Sequence, residues 1–338
     1  GMFLLSRHLT GSSIGSFVAG FVFGFSPFHF GHGMGHLDIA SLQWIPFYVL
    51  YFIKGAESNG KRNIFTAALF FSLATLESWY QGFYLLIFSL LLVIFMSMLP
   101  GNRYRDSPVK LAAVLGISSV LTSPFLIPTI IYSLQNPETF RPVAELIQNS
   151  PSLADFFHPG WMNPIFRRCC WPLLAFAHGE AAVFTGYTVI VLALVAVRKR
   201  ISAWEIFWAV TSIAFAVLTL GPYLQAPYLG SMEIPLPYLI IYYAKVGSIF
   251  RSVARADVIV MVSLAALVAY GMKVVLSRTK SIRRRYVVVG LLLTIIALEF
   301  LVVPYPTAKV VVPEIYYVIS QERDSFAILD VPIGGGGD

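Results

Sequence analysis

The sequence predicts an all-α polytopic membrane protein of about nine transmembrane helices. Its outer loops are expected to carry short interfacial helices, and a soluble β-containing domain is expected to begin near the C-terminus. Three observations lead there. Of 338 residues, 57% are hydrophobic and only 12% charged, with a mean hydropathy of +0.74. A soluble domain carries about 25% charged residues, and no soluble fold of this size hides so much apolar surface. The apolar residues also come in runs near the ~20-residue length that a bilayer core demands. Finally, Lys and Arg fall in short clusters between alternate runs.

The runs cover approximately 12–28, 39–55, 63–79, 82–99, 109–134, 181–197, 203–221, 256–276 and 286–304. They are apolar all round, as lipid-facing helices are. Residues 1–6 read as the end of a further one, so residues 1–304 form a membrane domain expected to be incomplete at its N-terminus. The fifth run holds Ser123-Pro124 and Pro128, and a proline inside a spanning helix frees a carbonyl and kinks it. Residues 305–338 read as the truncated start of an outer domain, with Phe326 to Pro332 as a strand ahead of the terminal glycines.

Basic loops belong on the cytoplasmic side. One set carries Arg7; Lys54, Lys61 and Arg62; Arg103, Arg105 and Lys110; Arg198, Lys199 and Arg200; and Arg278 to Arg285. The opposite set therefore faces outward: 26–40, the turn at 80–82, 135–180, 222–255 and the tail from 305. The net charge of +7 is then a topology signal, and nucleic acid is excluded as a partner. The adjacent Cys169 and Cys170 would form a strained disulfide and read as free thiols. The loops 135–180 and 222–255, rich in Pro, are expected to lay short helices on the membrane, with Trp161 and Trp171 at the interface.

That orientation gathers the other polar residues outside. The stretch Phe21 to Gln43 is the centre of interest, because His29, His32 and His36 alternate there with Gly31, Gly33 and Gly35, ahead of Asp38. Glycines so dense disfavour a helix and permit unusual backbone angles or close approach to a ligand. Three readings stand: a site touching a phosphate or sugar through His36 and Asp38, a divalent metal held by His32, His36 and Asp38, or a re-entrant loop whose histidines satisfy one another. Glu77 stands near the end of a span, where an acid is costly and usually functional. Its neighbours Trp79 and Tyr80 fit either sugar stacking or an interfacial aromatic belt. Arg251 and Arg255 share a face if residues 247–256 are helical. On the outer side they fit a phosphate grip, or pairing with Asp257, Glu233 or lipid headgroups. Glu180, after His178-Gly179, fits a base, a metal ligand or an acid at a helix N-terminus. No nucleotide, dinucleotide, zinc-protease or serine-hydrolase motif is present.

The stretch Phe25-Ser26-Pro27, Gly35-His36-Leu37 and Gln43-Trp44-Ile45-Pro46 resembles the motif region of polytopic proteins in the GT-C glycosyltransferase superfamily. That superfamily includes protein O-mannosyltransferases and lipid A aminoarabinose transferases. Ser78-Trp79-Tyr80, Phe250-Arg251…Arg255 and Leu329-Asp330-Val331-Pro332 look similar too. The resemblance implies a multi-pass cell-membrane hexosyltransferase, with its hinge and tail extracytoplasmic. It would move a sugar from a polyprenyl-phosphate donor to an acceptor by inverting displacement. The first outer loop, which usually holds the catalytic carboxylate in such enzymes, is expected to be absent from this sequence, which leaves Asp38 as the substitute. The resemblance would put the lipid phosphate at His36, Arg251 and Arg255, and the sugar or acceptor against Glu77, Trp79, Tyr80 and Glu180. The alternatives are a flippase for a lipid-linked saccharide and a non-catalytic assembly protein on the same fold. Inverted repeats of the transporter kind are not visible in the sequence.

Overall fold

A computed structural model describes residues 1–58, 60–136, 139–160, 162–166, 182–198, 201–226, 230–245, 247–305, 307, 312–322 and 326–328. The chain divides into two units, Gly1–Pro304 and Tyr305–Asp338.

The first unit is a helical bundle. Its elements are α1 (Met2–Thr10), α2 (Ser13–Gly24), α3 (Pro27–His32), α4 (Leu37–Ala40), α5 (Trp44–Glu57), α6 (Lys61–Glu77), α7 (Trp79–Met98) and α8 (Ser107–Gln135). They continue as α9 (Val143–Gln148), α10 (Tyr187–Val197), α11 (Ala203–Thr219), β1 (Tyr223–Ala226), β2 (Gly230–Pro235), α12 (Tyr238–Tyr243), α13 (Asp257–Arg278) and α14 (Ile282–Glu299). In the second unit one helix is described, α15 (Glu314–Ile319), and the expected strand at Leu329 to Pro332 lies outside the described residues.

Each predicted apolar run contains a helix. Four segments among the described residues are both long and apolar enough to cross a bilayer: Ser13–His32, Trp79–Met98, Ser107–Gln135 and Val253–Arg278. α10 and α11 are apolar but shorter.

Helix α13 is the centre. Its span is 83% buried, whereas that of α8 is 17% buried, which makes α8 the outer helix with its apolar face bare. α1, α2, α10 and α11 all pack on α13. Small residues let backbones approach in such bundles. A Cβ at Gly271 would lie 2.1 Å from the Leu192 carbonyl oxygen of α10, and one at Gly15 of α2 would lie 2.9 Å from the Ala269 carbonyl oxygen. The proline expectation for α8 is answered locally. Pro124 has no N–H to give the Val120 carbonyl, and the Ser123 hydroxyl donates to that oxygen instead at 2.9 Å. The helix runs on through both prolines.

The loop 222–255 departs from expectation. Instead of helices alone it opens with an antiparallel hairpin, Tyr223 opposite Pro235 and Ala226 opposite Gly230. The β-branched and aromatic content of this stretch is low, so tertiary placement rather than pattern makes the hairpin.

One polar end of the bundle is fastened by Glu57. Its carboxylate meets His8 Nε2 at 3.1 Å, Arg103 Nη2 at 3.3 Å and the Tyr104 hydroxyl at 3.3 Å. Lys110 Nζ donates to the Ala56 carbonyl at 3.2 Å, near the end of α5 where carbonyls lack helical partners. These contacts bring the ends of α1 and α5 and the α7–α8 connection together, all of them basic loops. The His8 hydrogen bond foremost, with Arg103 and Tyr104 helping, lowers the Glu57 carboxyl from its ordinary 4.5 against the opposing effect of burial. A lowered folded pKa adds stability above the unfolded value, and that stability is lost as pH falls through the folded one. Thermal unfolding in detergent should therefore move to lower temperature as pH drops below about 4.5. Glu57→Gln should start lower and lose less over that range; parallel curves for the two proteins would refute the coupling.

Candidate functional site

The hinge between α2 and α5 is helical in part. Pro27 takes the first position of α3, where its missing N–H costs nothing. Residues 33–36 turn, and α4 follows. Gly31, Gly33 and Gly35 permit unusual backbone angles or close approach to a ligand, and none of them has a positive φ. A six-residue helix with a proline start tolerates Gly31 at its end. His32 is buried against Phe28, with ring centroids 4.3 Å apart. His36 sits 6.4 Å from His32, ring to ring, and His29 Nδ1 lies 3.2 Å from the Ser26 hydroxyl. Among the described residues no group of three or more His, Cys, Asp or Glu side chains converges. The metal alternative at His32, His36 and Asp38 is not carried forward.

Gln81 of α7 braces the hinge. Its amide donates to the Asp38 carbonyl at 3.0 Å and the Ser41 carbonyl at 3.1 Å. The Asp38 backbone is thus tied to the bundle while its side chain stays exposed. A single extended residue, Ser78, separates α6 from α7. That break brings Glu77, Trp79 and Tyr80 to the wall of one cavity.

The cavity holds about 440 Å³ and is lined by Asp38, Glu77, Trp79, Tyr80 and Phe250, with Phe140 and α8 residues such as Leu126 and Ile130 opposite. The Glu77 carboxylate accepts from the Gln43 amide at 3.2 Å, which fixes its orientation. A second, smaller cavity of about 270 Å³ shares Trp79, Leu126 and Phe250 and runs between α6, α7 and α8. Four of the predicted residues, Asp38, Glu77, Trp79 and Tyr80, therefore share one wall. Cavities of this size, mostly apolar with a few convergent polar groups, are what small-molecule sites look like.

Tyr80 ties the arginine segment to this wall. Its hydroxyl accepts from the backbone N–H of Arg251 at 3.0 Å and of Ser252 at 3.3 Å. The Arg255 guanidinium lies over its ring, 4.3 Å from the centroid, and Phe250 packs on it at 4.9 Å. Tyr84 adds a bond from its hydroxyl to the Val253 carbonyl at 3.4 Å. The segment 247–256 is not one helix: Gly247–Ile249 and Val253–Ala256 are separate 3-10 turns. Arg251 and Arg255 consequently do not share a helical face. Arg251 is exposed, and Arg255 is buried with 7% of its surface accessible. The pairing alternative with Asp257 is not realised either, because neither carboxylate oxygen of that buried residue has a hydrogen-bond partner among the described residues.

Two further acids, Asp155 and Glu299, are engaged structurally. Asp155 accepts from the Ser152 N–H at 2.6 Å. Glu299 accepts from the Thr188 N–H at 3.1 Å and the Thr188 hydroxyl at 2.7 Å, satisfying the open N-terminus of α10. Glu180, His178, Glu138, Trp161, Trp171, Cys169 and Cys170 lie outside the described residues. Sequence reasoning misses the two glutamines: Gln43 enters it only inside the Gln43-Trp44-Ile45-Pro46 motif, and Gln81 does not enter it. A polar amide at an apolar helix boundary was the available signal.

Comparison with known proteins found no matching family model, no matching curated protein and no matching solved structure.

Proposed function

We propose that this chain is the membrane domain of a GT-C-type glycosyltransferase, with nine helices crossing the cell membrane and the hinge outside. In this reading it transfers a hexose from a polyprenyl-phosphate donor to an acceptor hydroxyl. The observation that carries the reading is the convergence of Asp38, Glu77, Trp79 and Tyr80 on one cavity. Two carboxylates beside an aromatic face suit a sugar, since carboxylates accept from its hydroxyls and a ring covers its C–H face. The cavity also opens at helix ends, away from the basic cluster around Glu57 by the length of α7, about 30 Å for 20 residues. A flippase would place its polar site near midplane between repeated halves. The end-of-bundle cavity favours the transferase.

The roles follow from chemistry. Asp38, exposed at the cavity, takes the proton from the acceptor hydroxyl. The resulting oxygen attacks the anomeric carbon, the carbon–oxygen bond to phosphate breaks, and polyprenyl phosphate leaves with the electron pair. Glu77, held by Gln43, orients sugar hydroxyls, and Trp79 stacks on the ring. Arg251 and His36 meet the phosphate, while Arg255 acts through Tyr80 as a positioning residue.

The test uses the full-length protein in liposomes with radiolabelled polyprenyl-phosphate sugars and a panel of hydroxyl acceptors. Release of polyprenyl phosphate that depends on acceptor supports the reading. Trp79→Ala should raise KM for the donor about tenfold, matching the loss of ~1–1.5 kcal/mol of ring stacking, with kcat changed less. Facilitated passage of the intact lipid-linked sugar, with no release, would replace the transferase with the flippase.

A further inference from the structure

A pocket of about 470 Å³ opens beside the cavity already described, sharing Phe140 with it. It is lined by Arg141, Tyr242, Tyr243, Lys245 and Ser248, residues that the sequence reading did not single out. Two cations from two different outer loops meet there. Their meeting is built by the backbone: the Arg141 N–H donates to the Ser248 carbonyl at 2.7 Å, and the Tyr242 hydroxyl donates to the Arg141 carbonyl at 3.3 Å. The strap at 140–142 is thus fastened to the turn after α12.

Lys245 is held in an unusual state. Its φ is +61°, the one positive value outside glycine among the described residues. The left-handed region is disfavoured for a side chain with a Cβ and persists where the surroundings impose it. Here they do so through Lys245 N–H to the Tyr242 carbonyl at 2.9 Å and the Ser248 hydroxyl to the Lys245 carbonyl at 2.9 Å. A glycine or asparagine would fit this turn with less strain, yet a lysine stands in it, at the rim of a pocket with another cation. Among the described residues Arg141 has one acidic neighbour, Glu145, at 3.8 Å. One long contact leaves most of the five guanidinium N–H donors to other acceptors. The pair is also partly exposed, at 46% and 25%, so its mutual attraction is weak.

We infer that Arg141 and Lys245, on a wall that the Tyr242 and Ser248 hydroxyls brace through backbone carbonyls, form a subsite for a phosphoryl group. Arg offers a planar fork to two phosphate oxygens, and Lys adds a mobile point charge. The organic remainder of the ligand would pass Phe140 into the cavity at Asp38 and Trp79. This is a second phosphoryl position, distinct from the one proposed at Arg251 and His36. It concerns binding alone: if sugar transfer fails while this binding holds, the transferase reading falls and the subsite stands.

The test is equilibrium binding of tritiated polyprenyl phosphate to the full-length protein in nanodiscs, with tritiated polyprenol as the phosphate-free arm. Arg141→Gln and Lys245→Gly should each weaken polyprenyl phosphate about tenfold or more, as expected for losing one charge-assisted contact. The double variant should lose about a hundredfold, and polyprenol binding should stay unchanged. Lys245→Gly keeps the left-handed turn, so it removes the cation without refolding the pocket. Competition by millimolar inorganic phosphate would assign the subsite to free phosphoryl compounds; its absence, with lipid binding intact, would assign it to a lipid-borne phosphate. Wild-type affinity for polyprenyl phosphate in the double variant overturns the proposal. Equal loss of both ligands overturns it too, because that pattern reports a damaged fold.

Discussion

Asp38→Asn should cut sugar transfer by about 100- to 10,000-fold in kcat, the range by which a positioned general base accelerates a proton transfer. The substitution is well matched to the geometry. What fastens residue 38 to the bundle is its backbone carbonyl, which accepts from Gln81 and is unchanged in the variant. Asparagine has nearly the shape of aspartate but takes no proton. The side chain is exposed at the cavity, so no buried partner is stranded by the change. Glu77→Gln offers the contrast. The Glu77 carboxylate is already engaged with the Gln43 amide, and its loss should raise KM while leaving most of kcat. Initial rates of polyprenyl phosphate release, measured against donor concentration for both variants, separate the two roles. Near-normal kcat in Asp38→Asn would remove Asp38 as the base. A collapse of kcat in Glu77→Gln with Asp38→Asn unaffected would exchange their roles.

The large features of this chain were legible because they rest on local composition. Apolar runs of bilayer length show directly in the sequence, and a helix lies in each. Two of the basic clusters do meet in space: Arg103 and Lys110 reach Glu57 and the end of α5 at one polar end. The aromatic step at Ser78-Trp79-Tyr80 was visible as a pattern, and the structure gives its reason, a one-residue break between α6 and α7. What stayed hidden depends on partners far away in the chain. Spacing of four made Arg251 and Arg255 look like one helical face, but Tyr80 takes the segment's N–H groups and so competes with helical bonding there. The hinge glycines permit unusual backbone angles, yet the positive φ outside glycine among the described residues is at Lys245, a residue type that advertises nothing. Arg141 and Lys245 meet only because two loops are hydrogen-bonded across the bundle end, and no window of sequence contains both.

Gly271→Leu should be the most damaging substitution in the bundle, costing about 3 kcal/mol or more. The central helix α13 meets α10 backbone to backbone at this point. A Cβ on residue 271 would stand 2.1 Å from the Leu192 carbonyl oxygen, a distance no carbon and oxygen tolerate without bonding. The obstacle is main chain, so no rotamer change relieves it, and α10 must move away. Val189, Leu192, Ala193 and Ala196 are buried residues of that helix and would lose contacts together. Even the single methyl of Gly271→Ala should be destabilising, against the usual helix preference for Ala over Gly. Gly290 of α14 provides the matched control, since nothing lies within 4 Å of a Cβ placed there. Gly290→Ala should be neutral or stabilising by up to about 1 kcal/mol. Thermal unfolding of the purified proteins in one detergent, with yield of the monodisperse peak as a second readout, compares all three variants. Equal midpoints for Gly271→Ala and Gly290→Ala would mean that α10 and α13 do not touch at Gly271. A fall confined to the Gly271 variants would identify that contact as the place where the bundle has no room to adjust.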